Sequence, residues 1–116
     1  MIKVLFVCSR NKWRSLTAET IFSNKLPGID VRSAGTEQGA RIKVTEGLLG
    51  WADLIFVMEK RHRQRLEQRY PQALIGKRIV RMDIPDVYPY MDEELISLLA
   101  AGVAEFIELP EDFSPC

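Results

Sequence analysis

Two continuous apolar runs constrain this chain more than any other feature. Residues 2–7 read IKVLFV, broken only by Lys3, and residues 53–58 read DLIFVM. A strand with one wet face alternates apolar and polar residues. A run without alternation suits a strand buried on both faces, as in a parallel sheet. Helical patterns separate such runs. Ser15 is placed to cap a helix reaching about Leu26, with Ala18, Ile21, Phe22 and Leu26 inward. Pro27-Gly28 ends it. IDVRSAGT carries a short strand over 29–33, and a modest helix is expected over 43–49. EKRHRQRLEQRYP reads as a charged helix stopped by Pro71, and its His62 is expected to be exposed and without a partner. A strand follows over 78–82. Residues 91–109 form a long amphipathic pattern with Leu95, Leu98, Leu99, Val103, Phe106 and Ile107 inward. Strand and helix alternate throughout, which is the signature of βαβ units. The expected class is α/β, a parallel sheet with helices on both faces.

The chain is 116 residues long, enough for one domain with one core. Lys plus Arg balances Asp plus Glu at 16 each, which argues against nucleic-acid and membrane-surface binders, since both usually carry a basic excess. No apolar stretch has the length of a membrane span, and the start does not read as a signal peptide. A cytoplasmic protein with reduced thiols is expected. Two cysteines, Cys8 and Cys116, cannot build a disulfide framework, and with one histidine they make a zinc site a poor expectation.

In a parallel sheet of this kind, ligands bind beyond the carboxyl ends of the strands. Three segments reach that edge: Cys8 to Arg14, Ala34 onward, and Asp83 to Tyr90. The first is the most informative. A loop between a buried strand and a helix N-terminus presents backbone N–H groups and a favourable dipole to an anion. A cysteine at its start, facing a guanidinium, is set up to react as thiolate. Arg14 has a planar fork that matches two oxygens of a phosphate. Ser15 can donate a hydrogen bond to the sulfur. Cys8 read in isolation would be a small buried hydrophobe. Cysteine, five residues, arginine and serine between a strand and a helix instead fit nucleophilic attack on phosphorus.

VLFVCSRNKWRS followed by TAE resembles the nucleophile loop of the low-molecular-weight protein tyrosine phosphatases, a family that reads Cys, five residues, Arg, Ser with an Asn three after the Cys. VRSAGT (31–36), ADLIFVM (52–58) and IPDVYPY (84–90) resemble further segments of that family in the same order. The likeness is greatest to a short bacterial branch of these phosphatases. The resemblance implies one phosphatase-like domain over 1–109, a four-stranded parallel sheet of order 2-1-3-4, and a mobile Pro-rich tail over 110–116. It implies Cys8 as nucleophile, Arg14 as phosphate clamp and Asp86 as the acid that protonates the leaving phenol and then activates water. The loop residues Ser9, Arg10, Asn11, Lys12 and Trp13 would bind the substrate, with Trp13 stacking on it or packing on the first helix, Asn11 bracing the loop and Ser15 stabilising the sulfur. Tyr88, with Tyr90 as a second candidate, would wall the ring. Asp83 is the rival acid, with a turn residue as its plainer role. No metal and no cofactor are called for. The expected substrates are a phosphotyrosine protein or a small aryl phosphate, with phosphate or sulfate able to fill the loop.

The chain departs from the family at several points. Arg10 stands where a Gly is usual, so an unusual backbone angle is expected there; it would otherwise be a solvated arginine at the rim. Trp13 replaces a second loop cysteine, and Leu16 replaces a Pro in the first helical turn. Relatives are longer, and the shortfall lies between Thr36 and Asp53, opening the site on one side. Ser33 is a candidate partner of the first loop. Three other activities share parts of this pattern. An arsenate reductase needs relay thiols, and Cys116, expected to be inert, is the one available. A phosphocysteine carrier has little use for an acid such as Asp86. A binding module for oxyanions or phosphotyrosine has no need of the full set.

Overall fold

Ile2–Cys8 forms β1 at the centre of the computed structural model, which describes residues 1–114. The chain continues through α1 (Arg14–Phe22), β2 (Ile29–Gly35), α2 (Glu46–Trp51), β3 (Leu54–Val57), α3 (Lys60–Arg69), β4 (Arg78–Arg81) and α4 (Glu93–Ala104). All strand pairings are parallel and the order is β2-β1-β3-β4, as expected.

β1 has no alternation because both of its faces are covered. Val4, Phe6 and Cys8 pack on one side with residues of α1 and α4. Leu5 and Val7 pack on the other with Leu49 of α2 and Leu66 of α3. Phe6 stacks between Phe22 at 5.7 Å and Phe56 at 5.1 Å. Each such ring contributes on the order of 2–3 kcal/mol by burial. These contacts fix the end of β1, and therefore the start of the loop that follows.

The element boundaries differ from expectation for local reasons. Ser15 lies inside α1, and Trp13 is its cap residue, with no side chain capping the helix. The helix stops at Phe22, with Asn24 in a left-handed turn (φ 61°) ahead of Leu26, which is still buried. α2 starts later than expected because Thr45 Oγ1 accepts from Leu48 N and sets its first turn. Asp92 caps α4 in the same way. Leu98 and Phe106 are each 39% exposed rather than inward; Phe106, beyond the helix, meets Phe56 edge-on under the Arg78 guanidinium. In the segment expected to be a loose tail, Phe113 stacks on Phe22 at 5.5 Å. Cys116 lies outside the described residues.

Candidate active site

The loop from Ser9 to Trp13 joins β1 to α1 at the carboxyl edge of the sheet. Its backbone is held from outside. Thr36 N donates to Cys8 O (2.9 Å), Glu37 N to Ser9 O (2.9 Å) and Arg41 N to Arg10 O (3.0 Å). A trans peptide points its N–H opposite to its C=O. The N–H groups of Ser9, Arg10 and Asn11 are therefore turned away from segment 36–41, and the α1 N-terminus adds uncapped donors. This arrangement suits an anion. The left-handed residue is Asn11 (φ 56°), not Arg10 as the usual Gly at that position suggested. Asn tolerates that conformation better than most residues, so an arginine at 10 carries no such strain. Gly35 is demanded by proximity. A Cβ there would lie 2.6 Å from Ser9 O and 2.7 Å from the Ala40 Cβ.

Cys8 is buried, and its Sγ lies 2.9 Å from Ser15 Oγ. Asn11 is fully buried and donates through Nδ2 to Ser15 Oγ and to Ser33 Oγ, both at 2.8 Å. Ser33 in turn donates to the Glu19 carboxylate. The expected link from Ser33 to the first loop is therefore present. Among the described residues, Asn11 Oδ1 is the buried side-chain polar atom without a partner.

Arg14 is 1% exposed, an unusual place for a guanidinium unless it is paired. Its NH1 donates to Glu59 Oε1 at 2.5 Å and to Ile84 O at 2.8 Å. Asp86 Oδ1 lies 3.7 Å from Nε. Burial would raise the Glu59 carboxyl, but hydrogen bonds from Arg14 and Arg61 outweigh it and hold the group below its usual range. Asp83 points elsewhere. It takes a left-handed turn (φ 56°) and pairs with Arg81 at 2.8 Å.

His62 overturns the expectation of an exposed residue: it is 1% exposed. Its Nδ1 accepts from Glu59 N at 3.0 Å, and its Nε2 lies 2.9 Å from Ser9 Oγ. Burial, with Arg14 and Arg61 nearby, pushes its pKa down to about 4. The ring is therefore neutral with its proton on Nε2, and it donates to Ser9. A charged stretch hid this role, because the histidine sits at the third position of α3 and turns back to cap the helix.

Cys8, Ser9, Arg10, Lys12, Trp13, Arg14 and Asp86 line one small cleft. An open slot bounded by Trp13, Asp86, Val87, Tyr88 and Pro89 continues from it. Trp13 is 41% exposed at that junction, and the Lys12 ammonium lies 6.0 Å from its ring. Tyr90 turns to α1 instead and hydrogen-bonds Thr20 Oγ1 at 3.0 Å. Arg10 pairs with Glu37 at the exposed rim. Glu59, His62 and Glu19 carry no signal in the sequence, because their part depends on contacts between distant segments.

Comparison with known proteins finds relatives of this segment and of this fold. Residues 3–48 match the family model of the low molecular weight phosphotyrosine protein phosphatases. A protein-arginine-phosphatase of Geobacillus stearothermophilus is 29% identical over a 94-residue alignment, covering 61% of this chain and 64% of that protein. The chain thus spans less than two thirds of that relative. The solved structure of Vibrio vulnificus Wzb in complex with benzylphosphonate is 27% identical, with a TM-score of 0.65, over 87% of this chain and 91% of that one. A low molecular weight protein tyrosine phosphatase of Streptococcus pyogenes, 20% identical, superposes with a TM-score of 0.74 over 90% of each chain. By its segment 3–48 the chain is similar to the low molecular weight phosphotyrosine protein phosphatases, and its fold is the one seen in solved structures of such phosphatases.

Proposed function

We propose that the chain hydrolyses phosphomonoesters, with phosphotyrosine on proteins as its substrate class, through a phosphocysteine intermediate. The observation that carries this reading is the meeting of Cys8, Arg14 and Asp86 in one cleft that opens into an aromatic slot. Cys8 Sγ attacks phosphorus as the bond to the leaving oxygen breaks, and Asp86 gives that oxygen its proton. Asp86 then takes a proton from water, which displaces the sulfur and releases phosphate. Arg14 and the loop N–H groups hold the equatorial oxygens, where charge builds. Ser9, Arg10, Asn11, Lys12 and Trp13 contribute those groups and the rim, and Tyr88 lines the ring slot. The cytoplasm, which keeps a catalytic thiol reduced, is the fitting compartment. Among the described residues no helix is long and apolar enough to cross a membrane.

A second reading is dephosphorylation of phosphoarginine, favoured by the name of the Geobacillus stearothermophilus relative. The same sulfur would then break a P–N bond. The deciding experiment measures turnover of p-nitrophenyl phosphate, a phosphotyrosine peptide and a phosphoarginine peptide, with EDTA present, for wild type and Cys8→Ser. Turnover of the aryl esters that vanishes in Cys8→Ser supports the proposal. A phosphoarginine preference replaces the substrate class. Phosphate binding without turnover of any substrate makes the chain a carrier or binding module.

A further inference from the structure

We infer that Arg41 is a positioning residue for the anion loop, gripping it from the side opposite the substrate. The inference rests on reading Cys8 to Arg14 as a phosphate site. Segment 36–41, which follows β2 directly, supplies a donor to four successive carbonyls from Cys8 to Asn11. Three donors are backbone N–H groups, on the carbonyls of Cys8, Ser9 and Arg10. The fourth is the Arg41 side chain, whose Nε donates to Asn11 O at 3.3 Å. The Arg41 NH2 also lies 4.0 Å from Glu19 Oε1, the carboxylate that receives the Ser33 proton. One guanidinium thus meets the backbone of Asn11, in the middle of the chain of hydrogen bonds from Cys8 to Glu19, and approaches the carboxylate at its far end.

The fourth carbonyl differs from the others in its backbone. Asn11 is left-handed, a conformation that has to be held by its surroundings. Fixing Asn11 O outward turns the Lys12 N–H inward, toward the anion, and seats Asn11 Nδ2 between Ser15 and Ser33. Without Arg41 the carbonyl loses its donor and the peptide between Asn11 and Lys12 is free to rotate. The Arg41 side chain is 44% exposed and its approach to Glu19 is long, so that ion pair alone carries little. The hydrogen bond to Asn11 O is the effective contact.

The test uses inorganic phosphate as the probe. Its dissociation constant is read from protection of Cys8 against iodoacetamide, followed on the Cys8 peptide by mass spectrometry, beside the melting temperature. Wild type, Arg41→Ala, Arg41→Gln and Arg41→Lys are compared, with Arg63→Ala as the surface control. Arg41→Ala is expected to weaken phosphate by about tenfold, as for one lost charge-assisted hydrogen bond. Arg41→Gln and Arg41→Lys, which keep an N–H donor, are expected to recover most of the loss. Unchanged phosphate affinity in Arg41→Ala overturns the inference, whatever its melting temperature. So does an Arg41→Gln protein as weak as Arg41→Ala, since charge would then be the cause. If Arg41→Ala does not fold, Arg41→Met, which keeps the aliphatic stem without a donor, takes its place with the same expected loss and the same overturning result. Absence of protection in wild type would instead overturn the reading of the loop as a phosphate site.

Discussion

Ser15 Oγ lies 2.9 Å from Cys8 Sγ and accepts from Asn11 Nδ2, so when the sulfur is a thiolate, which cannot donate, the Ser15 proton is the one that bridges them. The alternative acceptor, Ala34 O, lies farther away at 3.4 Å. The donor is thus aimed at the sulfur both before attack and when the sulfur departs from phosphorus. Ser15→Ala is expected to lower kcat by about 10²-fold, the scale seen on removal of one preorganised donor at a developing anion. Rapid-quench kinetics should show the phosphocysteine building up, since its breakdown is the step that needs the donor. Equal slowing of formation and breakdown would count against this assignment.

The two candidate acids separate by geometry. Asp86 lines the cleft beside Arg14, whereas Asp83 is paired with Arg81. Asp86→Asn is expected to lower kcat by about 10²–10⁴-fold on phenyl phosphate, and by less on p-nitrophenyl phosphate, whose leaving group needs little protonation. Asp83→Asn should change either rate by no more than about twofold. Similar losses in both variants would remove Asp86 from its role.

His62 should leave a pH signature in stability. Its pKa falls from 6.5 unfolded to about 4 folded, so the folded state favours the neutral ring. Its contribution is complete above about pH 6.5 and is lost as pH falls toward 4, because the unfolded chain then binds the extra proton. The expected slope is about 1.4 kcal/mol per pH unit in that window. Urea melts of wild type and His62→Asn between pH 4 and 7 should converge on acidification. Parallel curves would show that the ring is not held neutral.

Gly35→Ala tests the contact between β2 and the loop. The added methyl would meet Ser9 O at 2.6 Å and Ala40 at 2.7 Å, so backbone must move. A loss of about 1–3 kcal/mol of stability is expected, together with weaker phosphate binding. Gly47→Ala, where the nearest atom is Thr45 Oγ1 at 3.8 Å, should be mild in both respects. Phosphate affinity untouched by Gly35→Ala would separate the strand from the loop geometry.

The class of fold was legible in the chain because it follows from neighbours in sequence. The unbroken runs that became β1 and β3 announce burial on two faces, and their spacing from helical patterns announces parallel pairing. The loop from Cys8 to Arg14 was legible for the same reason. Thiol, loop donors and guanidinium lie within one short segment between a strand and a helix. The helix boundaries were read less well, since single side chains such as Thr45 and Asp92 decide where a first turn begins.

What the tertiary structure alone decided is which distant groups meet that loop. Glu59 reaches Arg14 across 45 positions, and His62 reaches Ser9 across 53. Asp86 and Asp83 are three apart, yet a left-handed turn at Asp83 sends them to different surroundings. Periodicity reports which face of an element is buried. It does not report which polar groups share that burial, because the pairing depends on how close the carboxyl ends of β1, β2 and β3 are brought by packing. A buried guanidinium or imidazole is tolerated where those ends converge, since there each finds the partners that water would otherwise supply.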